Sequence, residues 1–176
     1  MVAVFVKHSC NASARPRPRR SPELVGTNFQ EDCGIKFQLD DGGRAAAGYK
    51  GKTGDCTCRA IAIAAELPYQ TVYDLLNEHT SSQRITKRQP KRGSARTGIY
   101  KSTIRRVLES LGWQWTPTMS IGSGCKVHLR AGELPSGRLI VQVSKHVVAV
   151  IDGVIHDTHD CSRNGTRCVY GYWSKA

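Results

Sequence analysis

The chain has 176 residues and a formal net charge of +12, a length that fits one domain plus tails. No apolar run approaches the ~20 residues that cross a bilayer as a helix. Met1–Val6 is too short for a secretory signal and lacks a preceding basic stretch. Seven cysteines without such a signal argue against a disulfide framework and for reduced thiols in a cytoplasm, although Cys161 and Cys168 could approach each other across a loop.

Residues 1–34 are predicted to be a disordered basic tail. Lys7, Arg15, Arg17, Arg19 and Arg20 stand in it with no acid among residues 1–22, and Arg15-Pro16-Arg17-Pro18-Arg19-Arg20 suits neither a helix nor an interior strand. The acid-free stretch Lys7–Pro22 has the composition of a transit peptide without a clear amphipathic helix; an extended or mis-started N-terminus explains it equally well. A second acid-free run, 80–97, holds Arg84, Lys87, Arg88, Lys91, Arg92 and Arg96 and is predicted to be a mobile loop. The positive excess therefore sits in these two segments rather than on a folded face. Such runs bind phosphate backbones non-specifically or are simply solvated. No aromatic is interleaved with the loop charges to stack on bases.

Residues 35–176 read as a single domain. Ile35–Leu39 alternates, as a short edge strand does, and Asp40-Asp41-Gly42-Gly43 is a turn. The first helix is predicted from about Cys56 to Glu66. A second covers about 68–78, with Pro68 in its first turn and Tyr69, Val72, Tyr73 and Leu76 at helical spacing. A third is capped by Ser102, carries Ile104, Val107, Leu108 and Leu111, and stops at Gly112. The period then changes to two: 113–116, 125–129, 139–143, 146–151, 154–157 and 168–173 read as strands. Helices first and an antiparallel sheet afterwards make an α+β fold.

The segment Gly54-Asp55-Cys56-Thr57-Cys58-Arg59 runs from a glycine turn into Ala60–Ala65, where no side chain is polar. A helix that is apolar all round is a buried helix. Cys56 is thus placed at the N-terminus of the central buried helix, where unpaired N–H groups and the positive dipole end favour a thiolate. The same N–H groups can receive an oxyanion. The competing reading is a small buried cysteine that packs as a hydrophobe. Cys56-x-Cys58 is tighter than zinc-finger spacing and Cys161 and Cys168 are too far apart for a knuckle, so no metal and no cofactor is expected.

His146–Ile151 and Val154–Asp157 flank Asp152-Gly153, the signature of a two-residue type I′ hairpin. That register pairs Ile151 with Val154, Val148 with Asp157 and His146 with His159, so His146 and Asp157 become diagonal neighbours on one face. An imidazole with one nitrogen held by a carboxylate is what a general base requires. The plain alternatives are an exposed strand-start histidine and a turn-forming aspartate. His156 falls on the opposite face, His159 lies beyond the strand, and His128 has no evident acid partner.

A cysteine opening a central helix, followed late by a strand-start histidine and then an acid, resembles the papain-like cysteine peptidase superfamily. Asp55-Cys56-x-x-Arg59-Ala60-Ile61 is similar to the nucleophile segment of ovarian-tumour-type deubiquitinases and of double-glycine leader peptidases. More narrowly, Asp40-Asp41-Gly42-Gly43-Arg44, Gly54-Asp55-Cys56, His146–Gly153 and Asp157-Thr158-His159-Asp160 look like a bacterial and phage group of that kind, over about residues 35–173. The resemblance implies a papain-like fold with Cys56 as nucleophile, His146 as base and Asp157 as orienting acid. These would cleave an amide or isopeptide bond of a peptide or protein through an acyl-thioester. Such peptidases usually carry a glutamine six residues before the cysteine; here that position is Lys50. The oxyanion donors would then be backbone N–H groups at Asp55 and Cys56, or a side chain such as Gln38. The alternative is a non-enzymatic interaction protein on an inactive papain-like scaffold, meeting nucleic acid through Arg84, Lys87, Arg88, Lys91 and Arg92.

Overall fold

The computed structural model describes residues 34–87 and 89–175, so the predicted tail, save Gly34, and Arg88 lie outside the described residues. Within them the fold is α+β. β1 (Lys36–Leu39) is followed by α1 (Cys56–Ala65), α2 (Tyr69–Ser81) and α3 (Lys101–Ser110). Then come β2 (Gln114–Pro117), β3 (Arg138–Val143), β4 (His146–Ile151), β5 (Val154–Asp157) and β6 (Val169–Ser174). The strands form one sheet in the order β1-β5-β4-β3-β6-β2. No helix among the described residues is long and apolar enough to cross a membrane.

β3 and β4 are buried on both faces, which is why their apolar runs are continuous rather than alternating. Ile140, Val147, Ala149 and Trp173 pack beneath the helices with Ile61, Val72, Leu76 and Leu108. Leu139, Val141, Val148, Val150 and Ile155 form the opposite cluster with Leu129, Cys161 and Val169. α1 is buried from Thr57 to Ala64. Arg138 at the start of β3 ties down the C-terminal end of α1, donating to Ile63 O at 3.2 Å and pairing with Glu66, where a cation opposes the negative dipole end.

Four features differ from the sequence-based expectation. β1 pairs with β5 in parallel, Lys36 opposite Val154 through Leu39 opposite Asp157, so the sheet is not wholly antiparallel. The helices lie between β1 and β5 in the chain, and a long crossover is the connection that parallel neighbours need. α3 starts at Lys101 after an extended Tyr100, not behind a Ser102 cap. Residues 125–129 form only an isolated bridge, His128 to Cys168, and a disulfide links Cys125 to Cys168 with Cα atoms 5.8 Å apart. These two thiols are therefore not reduced, and Cys161 stays free and buried.

The fourth is the basic run 80–97, whose end is anchored rather than loose. Ala95 is buried in the helical core and its N–H donates to Asn77 Oδ1 at 2.9 Å. The Arg96 carbonyl accepts the Gly54 N–H at 2.9 Å. A side chain at Gly54 would meet Thr97 O at 3.0 Å, so this loop end backs directly onto the turn before Cys56.

The Asp40–Gly43 turn has an equally specific task. Asp40 and Asp41 accept the N–H groups of Gly42 and Gly43 at 2.8 and 2.9 Å, folding the turn against α1. Gly42 has φ +64, and a Cβ there would sit 3.0 Å from Arg59 O and 3.2 Å from its Cα. Gly43 has φ +81 but would meet nothing closer than 4.0 Å. Both alanine variants should lose roughly 1–2 kcal/mol to left-handed strain, and Gly42→Ala should lose measurably more in urea unfolding. Equal losses would mean that the close approach to Arg59 has no energetic weight.

Candidate active site

Asp55 occupies the N-cap of α1, yet its carboxylate makes no capping hydrogen bond. It faces instead an ion pair from Arg44 Nε at 2.8 Å, another from Arg59 Nη1, and the Tyr69 hydroxyl donating at 2.7 Å. These partners outweigh its burial and hold its pKa below the usual carboxylate range. Because the N-cap side chain is spent elsewhere, the first N–H groups of α1 carry no side-chain cap and remain available for a negative charge. Cys56, the first residue of the helix, is partly exposed beside them.

His146 starts β4 immediately after the tight turn that follows Val143, its partner on β3. Asp157 ends β5. The turn between β4 and β5 is of the expected type, with φ +47 at Asp152 and +75 at Gly153, and Ile151 lies opposite Val154. The resulting register brings His146 Nε2 to 2.5 Å from Asp157 Oδ2. With Nε2 taken, Nδ1 is the ring nitrogen left for a thiol, and Cys56 lies near enough to His146 for the imidazole to lower its pKa. Burial raises the Cys56 pKa, but the His146 hydrogen bond and charge, the Val147 N–H and Arg59 together bring it below the ordinary thiol value. Burial also disfavours a charged His146; hydrogen bonds to Asp157, Cys161 and Cys56 overcome this and push it up to about 11. Both shifts run in the direction of thiolate and imidazolium.

Arg59, one helical turn beyond Asp55, spans the site. Its Nη2 donates to Asp157 Oδ1 at 3.1 Å while Nη1 meets Asp55. Asp157 Oδ1 also accepts the Thr158 N–H at 2.7 Å. Burial raises the Asp157 pKa, and these bonds with His146 lower it further than burial lifts it. His146, Asp157 and Cys161 form a grouping of metal-ligating type, with candidate ligand atoms within 4.8 Å of one another. Both Asp157 oxygens already hold N–H donors, and a guanidinium on the same carboxylate opposes a cation, so the set suits proton transfer better than metal binding.

The site opens into a cleft of about 740 Å³ lined by Cys56, His146, His159, Gln142 and several lysines. His159 lies beyond the strand, as expected, but its ring stands 5.3 Å from that of His146. Gln38 is exposed on β1, opposite His156, and neither it nor Lys50 lines the cleft. His128 does have an acid partner, Glu133 at 3.4 Å, outside the cleft. Arg84, Lys87, Lys91 and Arg92 are exposed and do not line the cleft either. Sequence reading gave no role to Arg59, Arg44, Tyr69, Cys161 or Gln142. Arg59 did carry a signal: it is the one charge inside an otherwise apolar helix, and a buried charge must have partners. No family model, no curated protein and no solved structure matches this chain.

Three outcomes are expected from this geometry. Cys58 is fully buried, its Sγ 3.8 Å from Tyr69 O, with a pKa pushed up to about 12 by burial. Iodoacetamide at about pH 6.5, well below the free-thiol value of ~8.5, should label Cys56 in the folded protein and leave Cys58 untouched by peptide mapping. Asp157→Asn should slow that labelling by about tenfold or more, since each unit of thiol pKa costs tenfold in thiolate; Asp152→Asn, in the turn, should not. Arg59→Met should cost about 3–5 kcal/mol, the scale for stranding buried charges. A loss below about 1 kcal/mol in urea unfolding would show that Asp55 and Asp157 do not depend on it.

Proposed function

We propose that this protein is a papain-like cysteine hydrolase that cleaves an amide or isopeptide bond of a peptide or protein substrate. The observation that carries the proposal is the chain Asp157–His146–Cys56 at the open N-terminus of a buried helix. Each link has the chemistry the reaction needs, and a structural cysteine requires none of it.

The Cys56 thiolate attacks the carbonyl carbon, forming the C–S bond as the carbonyl π pair moves onto oxygen. The N–H groups at the start of α1 face that oxyanion. Collapse expels the amine, which takes its proton from His146 Nδ1, and an acyl-thioester remains. Neutral His146 then removes a proton from water, the hydroxide attacks the thioester carbonyl, and the carboxylate product leaves as Cys56 returns to thiolate. Asp157 keeps Nε2 protonated and the ring oriented throughout. An amine in place of water would give acyl transfer by the same steps.

The exposure of Arg84, Lys87, Lys91 and Arg92, in a run with no acid, favours one second reading: non-specific contact with nucleic acid at that loop, independent of the thiol. Such binding would fall steeply with salt.

The pH dependence separates chemistry from mere thiol reactivity. Cys56 has a lowered pKa and His146 one raised to about 11. As pH falls through the lowered Cys56 value, both alkylation and hydrolysis should be lost. As pH rises through the His146 value, hydrolysis alone should decline, because the leaving amine loses its proton donor while the thiolate persists. Measured profiles should show one limb for iodoacetamide and two for hydrolysis of an internally quenched peptide library, with Cys56→Ala inactive. Hydrolysis that survives Cys56→Ala would sink the proposal.

A further inference from the structure

The charged side chains lining the Cys56 cleft are all basic: Arg44, Lys52, Arg59, Lys101 and Lys145, besides histidine, with no aspartate or glutamate. Arg44 and Arg59 are committed to Asp55 and Asp157. Lys52, Lys101 and Lys145 are exposed and make no ion pair among the described residues. A second groove of about 670 Å³ adjoins the cleft and shares Lys101 and Gln142 with it. Its lining is largely apolar: Trp115, Met119, Ile121, Tyr170 and Trp173. Ile121 is fully exposed and Met119 is 37% exposed, so apolar side chains stand in water at its rim. Lys101 Nζ lies 5.4 Å from the centroid of the Tyr170 ring, which sets a cation at the border of the two concavities.

We infer that the cleft and the groove form one channel for an extended peptide segment. A bulky apolar side chain fills the tryptophan groove, and an adjacent acidic side chain meets Lys101 and Lys145. The inference rests on the hydrolase reading only for where the scissile bond lies; the binding itself does not involve the thiol. Gln142 stands at the junction with an amide that can both donate to and accept from a peptide backbone. A peptide suits the groove better than single-stranded nucleic acid. Base stacking needs open ring faces, whereas Trp115 and Trp173 pack on each other at 5.0 Å and Trp173 is buried. The exposed rim is aliphatic and thioether.

The test uses the full chain with Cys56→Ala, so that nothing is turned over, and reads tryptophan emission. End-blocked hexapeptides carry Phe and Glu as neighbours, in either order, in an Ala/Gly background; matched peptides have Ala for Phe or Lys for Glu. One order of the Phe/Glu peptide should bind about tenfold or more tightly than either matched peptide, a difference of about 1.4 kcal/mol. Raising salt from ~0.05 to ~0.5 M should shrink the Glu advantage and spare the Phe advantage. Ile121→Asp should remove most of the preference for Phe; its side chain is fully exposed, so the fold is not at stake. Lys101→Glu should reverse the preference to the Lys peptide. Equal affinity for all peptides, or preferences unmoved by both variants, would overturn the inference. So would an oligothymidylate that binds more tightly and displaces the peptide. Iodoacetamide labelling of the unaltered protein judges the thiol separately, so failure of either idea is recognisable on its own.

Discussion

Arg59 is the group on which the site is built. It is a guanidinium 8% exposed inside a helix with no other charge, where an unpaired ion would cost several kcal/mol. Its two ends meet two buried carboxylates far apart in the sequence, Asp55 before α1 and Asp157 at the end of β5. Helix and sheet are thereby registered at the point where cysteine and histidine must meet. With Cys56 as thiolate and His146 as imidazolium, three anions (Asp55, Cys56, Asp157) face three cations (Arg44, Arg59, His146). Moving the proton from Cys56 to His146 leaves the net charge of the cluster unchanged; what favours the charged pair is placement, the imidazolium lying against Asp157 and the thiolate near Arg59.

The same arrangement explains a helix start that looks inefficient. An aspartate at an N-cap ordinarily stabilises its helix by about 1 kcal/mol through a bond to the N–H of the second or third residue. Asp55 forgoes it, because its carboxylate is needed by Arg44, Arg59 and Tyr69. α1 does not need the cap: its body is buried on all sides, and burial supplies more than a cap would. The uncapped N–H groups are left to whatever anion forms at Cys56, so what the helix gives up locally is available to the chemistry.

Much of this was legible in the sequence because it rests on local rules. The unbroken apolar stretch after Cys56 marks a buried helix. Asp152-Gly153 specifies a two-residue turn, and that turn alone sets His146 beside Asp157. The parallel pairing of β1 with β5 was not legible: a four-residue edge strand carries no direction in its composition, and its partner lies more than a hundred residues away. Nor was the Cys125–Cys168 link, since spacing does not determine connectivity and 125–129 has the pattern of a strand while forming a single bridge. The basic run 80–97 misled for another reason. Its composition signals solvation, but one alanine within it, Ala95, is enough to pin the end that supports Gly54.

The cysteines show how far environment, rather than residue type, decides chemistry. Cys56 and Cys58 lie two residues apart on one helix, yet their pKa values move in opposite directions. Cys56 has an imidazolium, a backbone N–H and the positive end of the helix. Cys58 points into the core, its Sγ 3.8 Å from the Tyr69 carbonyl, where burial raises its pKa and the Asp55 charge adds to that. Cys161 is buried as well, but its sulfur lies within 4.8 Å of His146 and Asp157 and raises the His146 pKa. Cys125 and Cys168 are joined at the border of the apolar groove. Among the described residues, one free thiol both lines the cleft and has a lowered pKa, and the charges and donors around it make that selection, not the cysteine's own reactivity.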